Sequence, residues 1–216
     1  FDGHRSIDTL YSYEYPERRW LADWQLLARR YLDNDTVIGF DLYDEPGSPA
    51  CWGCGNPATD WQLAAERAGN AILAINPNLL ILVEGVEYYN KHPYWPGGNL
   101  QGVRDHPIRL NIPGRVVYSP HDFGLGNEGQ TWVDGRGELQ AMVAQWDAMW
   151  GYINRLGIAP VLVGAFGDRS VGTDLNGIWQ RTLVNYLSAN RFHYAYWALN
   201  PNVRRGGSLL DDRRRR

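Results

Sequence analysis

The sequence predicts an α/β fold in which parallel strands are covered by helices on both faces. Strand-like and helix-like segments alternate from end to end of the 216 residues. The strand-like segments are near-continuous apolar runs, which is typical of strands buried on both faces of a parallel sheet. This length provides one sizeable core and too little material for two, and no linker interrupts it. We therefore expect a single domain over residues 1–216.

The elements follow from periodicity and from stop signals. The first helix is predicted because Trp20, Trp24, Leu27 and Tyr31 recur at helical spacing. The second is capped by Asp60 and stops before Pro77. The Gly-rich, polar residues 124–137 predict a long loop. The predicted helices span residues 16–31, 61–75, 138–156 and 174–187, and the predicted strands span residues 36–42, 79–83, 115–119, 160–163 and 193–198.

Charge and composition exclude several classes of partner. The formal net charge is −3, and the only basic run, Arg213 to Arg216, indicates a solvated tail. No apolar stretch approaches the roughly 20 residues that span a bilayer. We expect no nucleic acid, no membrane contact and a monomer. The ten Trp and 13 Tyr residues suit sugar rings, although aromatic side chains also fill cores and composition alone favours the core.

The two cysteines lie close together in Cys51-Trp52-Gly53-Cys54. Such a pair can be redox-active, half of a zinc site or a small loop disulfide. No second ligand pair supports zinc, and the surrounding glycines and prolines do not resemble the start of a thioredoxin-type helix. A Cys51–Cys54 disulfide is favoured, which indicates an extracellular location. The chain begins at Phe1 without a signal peptide, and this says nothing about its destination.

Polar and aromatic residues follow each predicted strand. In a parallel βα array the carboxyl ends of the strands gather on one face, where such folds place their chemistry. An acid directly after a buried strand, stiffened by a following proline, suits a general acid with a raised pKa. A rim or capping role is the alternative for each residue taken singly. The strand-end groups are Asp44-Glu45-Pro46, Glu84-Gly85, His121-Asp122-Phe123 and Trp197.

These strand ends resemble those of glycoside hydrolase family 5, and within it the secreted bacterial endoglucanases (cellulases). FDGHRS resembles the family's third-strand end, VIGFDLYDEP the fourth strand with Asn-Glu-Pro, and VVYSPHDF the sixth-strand His-x-Tyr. PVLVGAFG matches the seventh-strand Gly-Glu-Phe-Gly, and YAYWALNP the eighth-strand tryptophan. The CWGCG and PYWPGGNLQG segments make the resemblance specific to a subgroup, and it covers essentially the whole chain.

The resemblance implies a (β/α)8 TIM barrel, present here as a partial barrel covering about strands 3–8. A complete barrel takes about 250 residues and eight strands. This chain offers five whole strands and a stub at Phe1-Asp2. We expect the first two βα units and the last helix to be missing from a single catalytic-type domain, together with the family's active-site arginine.

The resemblance also implies retaining hydrolysis of β-1,4-glucan without a cofactor or metal. One glutamate protonates the leaving oxygen, and a second attacks the anomeric carbon to form a glycosyl-enzyme intermediate. By position Glu45 is the acid/base, and His4 and His121 line the site of the attacked sugar. The tryptophans expected to contact sugar are Trp197, as the stacking platform, and Trp52 and Trp95, at neighbouring subsites.

Three departures from the family pattern affect this chemistry. The nucleophile position holds Ala165, and the tyrosine that normally hydrogen-bonds the nucleophile is Phe123. The asparagine before the acid is Asp44, which accepts hydrogen bonds but, when ionised, cannot donate as an amide does. Asp168 is too far along the loop to replace the nucleophile, because misplacement by an ångström costs about a hundredfold. We expect a chain that holds glucan and hydrolyses it very slowly or not at all.

Two other interpretations remain open from the sequence. The chain can be a non-catalytic binder of β-glucan or another oligosaccharide that keeps the aromatic cleft. It can also be a metal-dependent hydrolase, but its five scattered histidines show neither His-x-His nor His-Glu-x-x-His.

Overall fold

The computed structural model describes residues 10–12, 14–124, 139–168 and 170–199. Helices alternate with strands as the sequence predicts. The helices are α1 (Glu17–Arg30), α2 (Trp61–Leu73), α3 (Leu139–Trp146), α4 (Tyr152–Arg155) and α5 (Leu175–Ala189). The strands are β1 (Gly39–Asp41), β2 (Leu80–Val83), β3 (Tyr88–Tyr89), β4 (His92–Pro93), β5 (Val116–Tyr118), β6 (His121–Phe123), β7 (Leu162–Gly167) and β8 (His193–Tyr196).

The wall of the fold is a parallel array built from two three-stranded sheets. One sheet has the order β1-β2-β5 and the other β6-β7-β8, and all of their pairings are parallel. A bridge between Tyr118 and Val161 joins the sheets. The predicted strand over residues 115–119 therefore continues past Ser119 and Pro120 as β6. Five consecutive wall positions, each connected in the parallel sense, agree with the predicted partial barrel.

The helices α2 and α5 begin at aspartate caps. The Asp60 side chain accepts a hydrogen bond from the Leu63 N–H at the start of α2, and Asp174 accepts one from Gly177 at the start of α5. These contacts satisfy amide groups that the first helical turn leaves unpaired. Each cap marks the end of the loop that connects the preceding strand to the helix. The loop before α2 includes Asp44 and Glu45.

The helix predicted over residues 138–156 is interrupted. Asp147–Gly151 forms a π-helical turn between α3 and α4. The carbonyl of Met149 accepts a hydrogen bond from the Leu100 N–H, and the Tyr152 hydroxyl donates to the Leu100 carbonyl. The altered turn thus anchors the segment after Trp95 to the outside of the wall. Periodicity does not reveal such a turn, because one extra residue hardly changes an apolar helix face.

Many of the tryptophan and tyrosine side chains lie in the core. Trp61, Trp146, Trp150 and Trp179 are completely buried. Trp146 packs against Trp179 and Tyr186, with ring centroids 6.3 and 5.7 Å apart. Four of the ten tryptophans therefore stabilise the fold and present no face to a ligand. No helix within the described ranges is long and apolar enough to cross a membrane.

The strand predicted over residues 160–163 extends further than expected. It runs through Gly167, so the Gly-Ala-Phe-Gly segment is part of β7. Pairing of residues 165–167 with β6 holds this segment extended. The stub at Phe1-Asp2 and residues 125–137 of the predicted long loop lie outside the described residues.

Candidate active site

A cluster of carboxyl groups and one imidazole forms where β1, β2 and β6 end. Glu45 lies shortly after β1, Glu84 directly follows β2, and His121 begins β6. The His121 Nδ1 atom lies 3.3 Å from Glu45 Oε1, and its Nε2 atom lies 3.3 Å from Glu84 Oε1. Glu84 and His121 are buried, whereas the Glu45 side chain is about one-third exposed. Glu45 is therefore the carboxyl of this set that remains accessible to a ligand.

The position of Glu45 is fixed through both its backbone and its side chain. Its φ angle is 49°, in the left-handed region that non-glycine residues rarely adopt. The Glu45 N–H donates to Glu84 Oε2 at 2.8 Å, which compensates for this conformation. The indole N–H of Trp95 donates to Glu45 Oε1 at 2.7 Å. A strained backbone held by a buried side chain is typical of a functional residue.

The surroundings of Glu84 favour its protonated form. Burial raises the pKa of Glu84 well above its usual value, and repulsion from Asp41 acts in the same direction. A protonated Glu84 can donate through Oε1 to His121 Nε2, 3.3 Å away. In the neutral imidazole that accepts this bond, the single N–H lies at Nδ1 and points to Glu45. Protonation of Glu84 thus favours the histidine tautomer that donates to Glu45.

Asp41 is another acid of the cluster and is half-buried. Its Oδ2 accepts a hydrogen bond of 3.0 Å from the Ser119 hydroxyl, and its Oδ1 is also buried. Burial raises the pKa of Asp41 to about 6, with a contribution from Asp44. Asp41 was not predicted as a site residue, and Glu84 was named among the strand-end groups without a role. A charged residue inside the apolar run of β1 and another at the end of β2 were the available signals.

The raised pKa of Asp41 makes stability depend on pH. Between 3.8 and about 6 the unfolded chain loses this proton while the folded chain keeps it, so stability falls as pH rises through that window. The loss amounts to about 3 kcal/mol at most, at 1.36 kcal/mol per pH unit. We expect Asp41→Asn to weaken this dependence in urea unfolding between pH 4 and 7, since Glu84 contributes in the same direction and remains. The exposed Asp35→Asn is the control, and parallel curves for wild type and Asp41→Asn would contradict the assignment.

Gly97 makes room for the cluster. Its φ is +80°, and a Cβ atom at this position would overlap Glu84 Oε2 and lie 3.3 Å from the Glu45 Cα. We expect Gly97→Ala to destabilise the fold by about 2–3 kcal/mol and to displace Glu45, because strain and overlap act together. Gly114→Ala is a matched control, since its φ is +72° with nothing near the added methyl group. Urea unfolding measures the free energy of unfolding of both variants. Equal losses of stability would show that backbone strain alone, without overlap at Glu84, explains the effect.

β7 brings Ala165 beside the cluster. Ala165 is paired in register with His121, and Phe123 with Gly167. Both Ala165 and Phe123 are buried at 7% exposure, and the Phe123 ring lies 5.0 Å from that of Trp95. The side chain at position 165 is a methyl group, so β7 contributes no nucleophile here. Asp168 is 3% exposed and packs against Gly124, which agrees with the expectation that it does not replace a nucleophile.

The predicted aromatic contacts divide into two groups. Trp197 directly follows β8 and is 51% exposed, and Trp95 is half-buried with its indole on Glu45. Both can face a ligand. The prediction for Trp52 is wrong: it is 4% exposed, donates its indole N–H to the His106 carbonyl and packs on Tyr118. It is a core residue because the loop that carries it folds inward.

The remaining predicted residues are placed as follows. Cys51 and Cys54 are joined by a disulfide. Asp44 is exposed beside Glu45, and His4 lies outside the described residues. Asp41, Glu84 and His121 present ligand atoms within 4.8 Å of one another, as a metal site requires. Because Glu84 and His121 already bind each other and Glu45, we assign this set to the support of Glu45.

The chain is similar to bacterial endoglucanases over most of its length. It is 54% identical over 207 residues to an endoglucanase of Paenibacillus polymyxa, which covers 94% of this chain and 52% of the relative. It is 38% identical over 210 residues to the major extracellular endoglucanase of Xanthomonas campestris pv. campestris, covering 94% of this chain and 42% of the relative. The chain thus spans about half the length of the curated relatives it matches.

Solved structures of endocellulases share its fold. The hyperthermophilic endocellulase of Pyrococcus horikoshii superposes with a TM-score of 0.86 at 35% identity, over 95% of this chain and 61% of that one. The catalytic domain of the major Xanthomonas campestris endoglucanase superposes with a TM-score of 0.85 at 37% identity. The match covers 94% of this chain and 59% of that one. These neighbours establish the partial (β/α)8 barrel.

The family follows from a match that is independent of any single relative. Residues 2–203 match the family described as cellulase (glycosyl hydrolase family 5). This span includes every strand of the wall and the whole carboxyl cluster. The chain belongs to glycosyl hydrolase family 5.

Proposed function

We propose that the chain binds β-1,4-glucan, or a related oligosaccharide, across the carboxyl ends of its strands, with Glu45 as the acid/base of a cellulase-type site. The observation that carries the proposal is the fixed, accessible Glu45 carboxyl, which accepts the Trp95 indole N–H and lies 3.3 Å from His121 Nδ1. The exposed Trp197 supplies an apolar face for a sugar ring. The Pyrococcus horikoshii endocellulase has been solved in complex with cellotetraose as a glutamate-to-alanine variant.

We further propose that hydrolysis by this chain is very slow. A retaining pair needs two carboxyl groups about 5 Å apart. The residue of β7 that is paired in register with His121 is Ala165. No glycosyl-enzyme ester can form on a methyl group, and Phe123 lacks the hydroxyl that would orient a nucleophile.

Azide tests whether the rest of the site is competent. The chain should first be shown to bind cellotetraose by calorimetry. An activated aryl β-cellobioside is then added with and without azide, which can enter where the carboxylate is absent. Azide attacks the anomeric carbon, the C–O bond to the aryl group breaks, and the phenolate leaves. We expect α-cellobiosyl azide only in the presence of azide. Binding without any azide product would show that more than the nucleophile is lost.

A non-catalytic glucan-binding role is the second candidate. It is favoured by the three departures from the family pattern at Ala165, Phe123 and Asp44. The combined variant Ala165→Glu, Phe123→Tyr discriminates between the candidates. Cleavage of cello-oligosaccharides by that variant supports an enzyme scaffold, whereas binding without cleavage supports the binder.

We propose that the protein acts outside the cell as a monomer. The Cys51–Cys54 disulfide suits an oxidising compartment, and the Xanthomonas campestris relative is named as extracellular. Fractionation of the producing cells, with the redox state of the two cysteines measured by alkylation, tests the location. Recovery of the reduced protein inside the cells would contradict it.

A further inference from the structure

Asp44 differs from the other acids of the cluster in having no hydrogen-bond donor. Glu45 accepts from Trp95 and contacts His121 Nδ1, Glu84 accepts from the Glu45 N–H, and Asp41 accepts from Ser119. Among the described residues, no N–H or O–H group donates to the Asp44 carboxyl. Its side chain is exposed, so water alone supports its charge. A ligand that displaces this water removes that support.

Most of the titratable groups near Asp44 are acids. Glu45 is its neighbour in the chain, Glu84 and Asp41 lie close enough to interact with it, and among the described residues His121 is the basic group that acts on it. Tyr43, on its other side in the chain, interacts with the Asp44 charge as well. Partial desolvation raises the pKa of Asp44 above its usual value, the Glu45 charge acts in the same direction, and His121 opposes both. Desolvation and the Glu45 charge thus make the ionised form of Asp44 less favourable than it is in water.

An oligosaccharide is uncharged and carries hydroxyl groups that both donate and accept. A protonated carboxyl group, with one O–H donor and one C=O acceptor, presents the same pattern as a primary amide. An ionised carboxylate only accepts, and burying it under a neutral ligand has a desolvation cost. The protonated form of Asp44 therefore suits the ligand better on both counts.

We propose that Asp44 takes up a proton when a neutral glucan chain covers it, so that the chain binds glucan more tightly in mildly acidic solution. The inference rests on the proposed function, since it concerns the same cleft. Linkage gives the direction: a ligand that binds together with a proton gains affinity as pH falls. For a single proton the gain is at most about tenfold per pH unit. Asp44→Asn places a permanent amide there and removes the need for the proton.

The experiment measures cellotetraose binding to the chain by calorimetry from pH 4.5 to 8. Two buffers of different ionisation enthalpy at each pH count the protons taken up. We expect wild-type affinity to rise as pH falls, with uptake of up to one proton. Asp44→Asn should bind at pH 7.5 about as tightly as wild type at pH 5, and its affinity should change little with pH. Asp35→Asn, an exposed acid on another loop, should behave as wild type.

The alternative outcomes each contradict the inference in a distinct way. A flat wild-type affinity with normal binding overturns the role of Asp44 and leaves the proposed function standing. The same pH dependence in wild type and Asp44→Asn assigns the proton to His121, Asp41 or Glu84 and also overturns it. Absence of binding by both proteins at every pH overturns the proposed function together with this inference.

Discussion

Replacing Ala165 by glutamate is expected to raise the hydrolysis of an aryl β-cellobioside by a factor on the order of 10³ or more. Loss of a catalytic nucleophile costs at least this much in other hydrolases. The substitution places a carboxyl group on β7 beside His121, while Glu45 keeps its existing hydrogen bonds. The variant should be assayed in the chain as it stands and after extension with the barrel strands of the Paenibacillus polymyxa relative, since a partial barrel leaves part of the cleft unbuilt.

Ala165→Gln is the matched control for this restoration. Glutamine fills the same volume and cannot attack the anomeric carbon to form an ester. The glutamate variant alone should accumulate an intermediate detectable by mass spectrometry. Equal inactivity of both variants in the extended chain, with cellotetraose binding retained, would show that position 165 does not present the nucleophile.

Replacing Trp61 by alanine is expected to reduce the free energy of unfolding by about 3–5 kcal/mol. Trp61 is completely buried at the start of α2, and truncation of such a ring leaves a cavity. Its indole N–H also donates to the Glu84 carbonyl at 2.8 Å, so the cavity opens directly behind the carboxyl cluster. Urea unfolding measures the loss.

Trp197→Ala is the counterpart of that variant. Trp197 is half exposed and packs at the edge of the fold, so its loss should change stability by less than about 0.5 kcal/mol. We expect it to weaken cellotetraose binding by roughly tenfold, since a stacked ring contributes on the order of 1 kcal/mol. If Trp197→Ala destabilised the fold as much as Trp61→Ala, Trp197 would be a structural residue.

The wall strands and the residues at their ends were predictable from the sequence. Buried parallel strands have apolar runs, and polar groups follow them at one end. Glu45 and His121 were found in this way, and the structure brings them together. Trp52 was misassigned because sequence does not show whether a loop tryptophan faces solvent or core. Asp41 and Gly97 were missed because their roles depend on which atoms approach across different strands. Such contacts have no local signature in a single sequence.

The residues that hold Glu45 all precede β7 in the chain. Within the described residues, Glu45 forms hydrogen bonds with Glu84, Trp95 and His121, and none of these partners belongs to β7. The connection to the expected counterpart is indirect, through the backbone pairing of His121 with Ala165. A change of side chain at position 165 can therefore remove the nucleophile while every hydrogen-bond partner of Glu45 stays in the chain.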